Sequence, residues 1–123
     1  MKLDFASEKP IYLQLAEGLE DAILSGGFPE GEQVPSTTEI SVTYQINPAT
    51  ALKGINLLVA NGILYKKRGV GMFVCDGAKA QILKQRQEAF YQNFILPLVA
   101  EAEKLGLNQQ EVLDLFRKGF DHA

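Results

Sequence analysis

The sequence predicts a mainly α-helical chain with one small β-hairpin, three helices before it and two after it. Three observations predict this. Apolar residues recur at intervals of three and four on both sides of residues 63–75. Helix-start signatures stand at Ser36–Glu39, Asn47-Pro48 and Asn108–Glu111. Between them, ILYKKRGVGMFVC has no helical period and carries glycines at its charged centre.

Residues 10–25 form the first helix. Pro10 suits its first position, and Tyr12, Leu15, Ala16, Leu19, Ala22 and Ile23 make one apolar face. Gly26 and Gly27 end it, and FPEGEQVP reads as a loop. Ser36 and Glu39 form a capping box that opens a short second helix, residues 37–44, with Ile40 and Tyr44 as core positions. After Gln45-Ile46, Asn47-Pro48 starts a third helix that runs to Asn61, with Gly62 just beyond its end. Leu52, Ile55, Leu58 and Val59 are its expected core face. The hairpin pairs strand 63–67 with strand 72–75 across a tip at 68–71. Asp76-Gly77 is a linker. A long helix over 79–106 follows, kinked or divided at Pro97. A second capping box, Asn108 to Glu111, starts the last helix, whose expected core is Val112, Leu115, Phe116 and Leu113.

Two short helices joined by a tight turn, with a hairpin after the second, describe a winged helix-turn-helix. The predicted domains are therefore a head, 1–77, and a short two-helix tail, 78–123.

Composition narrows the function. The chain has 123 residues, 46% apolar and 22% charged, as in a globular protein. No apolar run reaches the ~18 residues of a membrane helix, and the first ten residues lack a signal-peptide core. A single cysteine, Cys75, permits no internal disulfide, which fits a reducing, cytoplasmic setting. Cys75 and the lone His122 cannot make a zinc site or a Cys/His or Ser/His/Asp arrangement. Glu101 and Glu103 lie two residues apart on different helix faces and are no acid/base pair. Neither an enzyme nor a bound cofactor is expected.

The net charge of −3 conceals an asymmetry. Residues 35–74 hold Lys53, Lys66, Lys67 and Arg68 against Glu39 alone, whereas the flanking segments are acidic. This basic island contains the third helix and the hairpin, and it favours nucleic acid. The third helix begins INPATALKG, with short side chains where bulk would be easy to place. In a helix-turn-helix that end enters the major groove. Ala49 and Thr50 permit close approach, Thr50 offers a hydroxyl, and Lys53 faces outward to meet backbone or guanine. Free N–H groups at the helix start are expected to favour a phosphate. Lys67, Arg68, Gly69 and Gly71 make a basic, glycine-bearing tip suited to a minor groove. The tip is no nucleotide-cradling loop, because those glycines lead into a strand. A winged helix that binds only protein is the alternative; the acidic first helix would suit it.

PIYLQLAEGLEDAILSGGFPEGEQVPS, INPATALKGINLL and GILYKKRGVGMFV together resemble the DNA-binding domain of the GntR family of bacterial transcription regulators, and the two-helix tail resembles its YtrA subfamily. The resemblance implies a phosphate contact at Ser36, recognition-helix roles for Asn47, Ala49, Thr50 and Lys53, and wing roles for Arg68, Gly69 and Gly71. Thr38 stands where many members carry a guanine-reading Arg, and Met72 where Thr is common. The resemblance further implies a repressor acting on a double-stranded DNA operator, often of an operon encoding an ABC transporter. Larger members sense ligands; here an unidentified small-molecule effector would sit at the Pro97 kink or between subunits.

Phe90, Tyr91, Phe94, Ile95, Leu98 and Val99 are more large apolar groups than a two-helix hairpin can hide. They predict an isologous homodimer through the tail. Two heads would also double the few phosphate contacts that one head can make.

Overall fold

A computed structural model describes residues 1–122. Its elements are α1 (Ile11–Leu24), α2 (Thr37–Tyr44), α3 (Pro48–Ala60), β1 (Leu64–Lys67), β2 (Gly71–Val74), α4 (Ala78–Phe90), a π-helical segment (Tyr91–Ile95), α5 (Leu96–Lys104) and α6 (Gln109–Asp121). The chain divides into two compact units, Met1–Lys84 and Gln85–Ala123.

In the first unit, the head, the core is built on the crossing of α1 and α3. Leu15, Ala16, Leu19 and Ile23 of α1 are buried with Ala51, Ile55 and Leu58 of α3 in one cluster. Each large aliphatic side chain so buried contributes about 1.5–3 kcal/mol. Gly54 sets how close the helices come: a Cβ there would lie 2.9 Å from the Tyr12 carbonyl oxygen and 3.0 Å from Leu15 Cδ2. This close approach corrects the expected core face. Ala51 and Gly54 are buried, while Leu52 and Val59 are 47% and 37% exposed. The expected face favoured large apolar residues, whereas the true stripe of 51, 54, 55 and 58 includes small ones because α1 leaves no room for more. Pro10 is likewise the cap residue of α1 rather than its first helical residue, with ψ 145°. Gln14 binds the N-terminal arm to α1: its Oε1 accepts from the Asp4 N–H at 2.8 Å, and its Nε2 donates to the Asp4 and Lys9 carbonyls at 2.9 and 2.8 Å.

The capping box at α2 forms as expected. The Glu39 N–H donates to Ser36 Oγ at 3.0 Å, and the Ser36 N–H donates to Glu39 Oε1 at 3.1 Å. The turn into α3 depends on Gln45, whose φ of 53° places it in the left-handed region. Ser41, buried without a sequence signal, holds that turn by donating from Oγ to the Ile46 carbonyl at 2.7 Å.

The hairpin is antiparallel, with Leu64 opposite Val74 and Lys67 opposite Gly71. Ile63, Leu64 and Val74 enter the head core. Residues 31–34, expected as plain loop, add a short third line of pairing on β2. Val34 N–H donates to the Met72 carbonyl at 2.9 Å, Val74 N–H to Glu32 at 3.0 Å, and Gln33 bridges to Phe73. Cys75 is half-buried; burial first, and Asp76 second, push its thiol pKa up, which suits a strand-end residue rather than a reactive thiolate.

The first turns of α4 belong to the head. Ala78 and Ile82 are fully buried in its core. The Glu30 carboxylate accepts from the Gly77 and Lys79 N–H groups at 2.9 and 3.0 Å. The compact units thus part at Lys84 and Gln85, beyond the expected linker at Asp76-Gly77.

In the tail, the predicted long helix is divided. The Leu96 N–H donates to the Tyr91 carbonyl five residues back, and Pro97 lies in the first turn of α5. A widened turn just before a proline accommodates its ring and its missing donor. The second capping box forms, with the Glu111 N–H to Asn108 Oδ1 at 2.9 Å and the Asn108 N–H to Glu111 Oε1 at 3.0 Å. Of the residues expected to form the α6 core, Val112 is half-buried, whereas Leu113, Leu115 and Phe116 are exposed. The reason is that α5 covers only one side of a helix with a broad apolar face.

Candidate nucleic-acid interface

The start of α3 is built by its cap. Asn47 Oδ1 accepts from the Ala49 N–H at 2.8 Å, and the Asn47 carbonyl accepts from Thr50 and Ala51 at 3.0 and 3.1 Å. Pro48 has no N–H. The amides of Ala49, Thr50 and Ala51 are therefore engaged within the helix start, so a phosphate at this end would meet mainly side chains. Asn47 retains its two Nδ2 donors. Ala49 and Lys53 are exposed, Thr50 is half-buried, and Leu52 and Asn56 join Ala49 and Lys53 on the outward face. The short residues at this end have two causes: Ala49 keeps the outer surface low, and Ala51 fills the core.

On α2, Thr38 and Ser36 are exposed. The amide of Ser36 is taken by Glu39, which leaves its hydroxyl proton to donate outward. Glu39 is the single acid of residues 35–74, and its carboxylate is folded back on the N-terminus of α2, whose partial positive charge offsets it.

The hairpin tip is a tight turn closed by the Val70 N–H donating to the Lys67 carbonyl at 2.9 Å. Gly69 has φ 77° and Gly71 φ 144°, both in the region that favours glycine. Gly71 is required for a second reason: a Cβ there would collide with Gln33 Nε2. That amide donates to the Val70 carbonyl at 2.9 Å, so Gln33 buttresses the tip from the neighbouring segment. Lys66, Lys67 and Arg68 are exposed. Lys67 Nζ lies 4.7 Å from the Phe73 ring centroid, and Lys53 Nζ lies 4.1 Å from that of Tyr12. Both distances are those of cation–π contacts.

Nothing in the sequence marks Gln33 or Tyr12 as part of this surface. Gln33 sits in a segment with no strand period, and its role depends on a backbone contact from residue 70. Tyr12 falls on the predicted core face of α1, and only the Gly54 crossing brings its ring beneath Lys53.

In the tail, Phe90, Tyr91, Phe94 and Val99 are exposed, Phe94 to 63%, while Ile95 and Leu98 are half-buried. Ala102 is the only buried apolar residue of the tail among the described residues. Near Pro97, a groove of about 540 Å³ runs between α5 and α6; it is lined by Ile95, Leu98, Val112 and Phe116, with Glu103 as its one charged residue. In the head, a cavity of about 830 Å³ lies among the N-terminal arm, α1 and α2 and shares no residue with the basic surface. Among the described residues, no group of three His, Cys, Asp or Glu could hold a metal, and no helix is long and apolar enough to cross a membrane.

Comparison with known proteins agrees with the head and with the whole chain. The family described as "Bacterial regulatory proteins, gntR family" matches residues 11–74, from the first residue of α1 to the last of β2. The HTH-type transcriptional regulator YhcF of Bacillus subtilis is 28% identical over 114 residues, 93% of each chain. The transcriptional repressor YtrA of the same organism is 24% identical over 112 residues, covering 91% of this chain and 85% of its own. The crystal structure of a GntR-family transcriptional regulator from Bacteroides thetaiotaomicron superposes with a TM-score of 0.79 at 30% identity, over 91% of this chain and 97% of that one. A capped helix pair, a third helix tight against α1 and a basic hairpin braced by residues 31–34 are thus the winged helix-turn-helix of a family, and this chain belongs to the GntR family of bacterial transcription regulators.

Proposed function

We propose that the chain is a homodimeric repressor that binds a two-fold operator in double-stranded DNA. Ser36, Thr38, Asn47, Ala49, Thr50 and Lys53 face the major groove and its walls, and Lys67, Arg68, Gly69 and Gly71 follow the minor groove. The tails pair through Phe90, Tyr91, Phe94, Ile95, Leu98 and Val99. The observation that supports this best is electrostatic: four exposed bases lie on α3 and the hairpin, and the one acid of that segment is tied back onto a helix end. The YtrA resemblance extends the proposal to the target, an operon encoding an ABC transporter.

The test is fluorescence anisotropy with genomic fragments selected by the protein, titrated at several salt concentrations, alongside light scattering. Four bases per head give a log K against log salt slope approaching about −7 for a dimer. The sequenced fragments identify the operon. A monomer, or a protein that ignores every fragment at low salt, overturns the reading. Salt-insensitive association with another protein would favour a protein-binding winged helix instead.

A further inference from the structure

The proposal above leaves open what Lys53 touches, since a lysine can serve either a guanine edge or a phosphate. We propose that Tyr12 is a positioning residue of the DNA interface, which holds the Lys53 ammonium to one side of α3 so that it grips a phosphate rather than reading a base. This inference rests on the DNA-binding reading.

Three observations converge. Lys53 Nζ sits 4.1 Å from the Tyr12 ring centroid, so the cation is drawn off the outward face of α3 towards α1. The ring is there because α1 and α3 nearly touch at Gly54, where any Cβ would press on the Tyr12 carbonyl. Lys53 also lies five residues into a helix that starts at Pro48, roughly 7 Å along its axis. In a helix-turn-helix the first residues of the recognition helix face the bases. A helix about 10–12 Å across nearly fills a major groove about 12 Å wide. A side chain pulled to its flank therefore meets the groove wall, which is phosphate. The ring also restrains a flexible side chain before DNA arrives, so less freedom is lost on binding. A direct guanine contact would require Lys53 to leave the ring.

The experiment uses the full chain and two duplexes, a selected genomic fragment and a scrambled one of equal length. Lys53→Ala is expected to weaken both by the same factor and to flatten the salt slope by about 0.9 for each head engaged. Tyr12→Leu is expected to weaken both about two- to fivefold per head, the size of an exposed cation–π contact. Tyr12→Phe, which keeps the ring, is expected to bind as the parent does. Tyr12→Leu added to Lys53→Ala is expected to change nothing further, since its effect passes through the lysine. The inference is overturned if Lys53→Ala relaxes preference at one operator position and spares the scrambled duplex. It is equally overturned if the two substitutions add, or if Tyr12→Phe loses as much as Tyr12→Leu. Thermal melts follow each variant; should Tyr12→Leu fail to fold, the two-duplex comparison of Lys53→Ala, an exposed residue, decides alone. Parent protein that binds neither duplex defeats the DNA-binding reading itself.

Discussion

The head and the tail use apolar residues in opposite ways. In the head, Leu15, Leu19, Ile23, Ile55, Leu58, Ile63 and Leu64 are all but sealed from solvent. In the tail, Phe90, Tyr91, Phe94, Leu96, Val99, Leu113, Leu115 and Phe116 each stand at least 38% exposed, and among the described residues Ala102 alone is buried. Both units have sound local structure, including nearly identical capping boxes at Ser36 and Asn108. The difference lies in what their apolar faces meet. Three helices crossing with a hairpin enclose a core, whereas α5 and α6 leave one side of each uncovered. A contiguous apolar surface of this kind marks an interaction site, and this supports reading the head as self-sufficient and the tail as completed by a second copy.

This contrast predicts graded effects. Phe94→Asp places a charge on the exposed tail stripe. It should leave the head folded by circular dichroism, give a monomer by light scattering and cut operator affinity by about a hundredfold or more as bivalency is lost. A dimeric Phe94→Asp protein would reject the tail as the interface. Leu58→Ala empties part of the head core and should cost about 2–5 kcal/mol in urea unfolding, independent of protein concentration. The two capping boxes then compare like with like. Ser36→Ala and Asn108→Ala should each cost about 1 kcal/mol. The loss at Ser36 should be read at a head unfolding midpoint that does not vary with protein concentration, and the loss at Asn108 at a tail midpoint that rises with concentration as dimer forms.

The smallest effect should come from Glu30, whose carboxylate fastens the start of α4 to the head. Hydrogen bonds from Gly77 first and Lys79 second lower its pKa below the ordinary 4.5. A carboxylate with a depressed folded-state pKa stabilises fully above its unfolded value, and that contribution is lost as pH falls through the folded value. The melting temperature of Glu30→Gln should therefore lie below that of the parent at neutral pH, and the gap should close as pH drops below 4.5. A gap unchanged by pH would mean that the carboxylate charge is irrelevant.

Much of this architecture could be read from local chemistry. Capping boxes at Ser36 and Asn108, the Asn47-Pro48 helix start, Gly62 and the glycines of the hairpin are short-range signals, since a cap or a turn is decided by residues three or four apart. The basic island could be read for the same reason, because charge is a property of composition. The apolar excess of the tail was visible as well, as more large side chains than two helices can cover.

What only the tertiary structure decided involves residues far apart in the chain. The core face of α3 turns on Ala51 and Gly54 because α1 approaches from residues 12 and 15. Gln33 braces a turn at residue 70, Glu30 holds the N–H of residue 79, and Tyr12 lies under Lys53. None of these partners shares a helical turn or a hairpin register, so no periodicity encodes them. Sequence by itself determined which segments are helix or strand and which carry charge. The packing of α1 against α3 and of residues 31–34 against β2 decided where those charges are held, because side-chain placement over such separations is set by how close two backbones come.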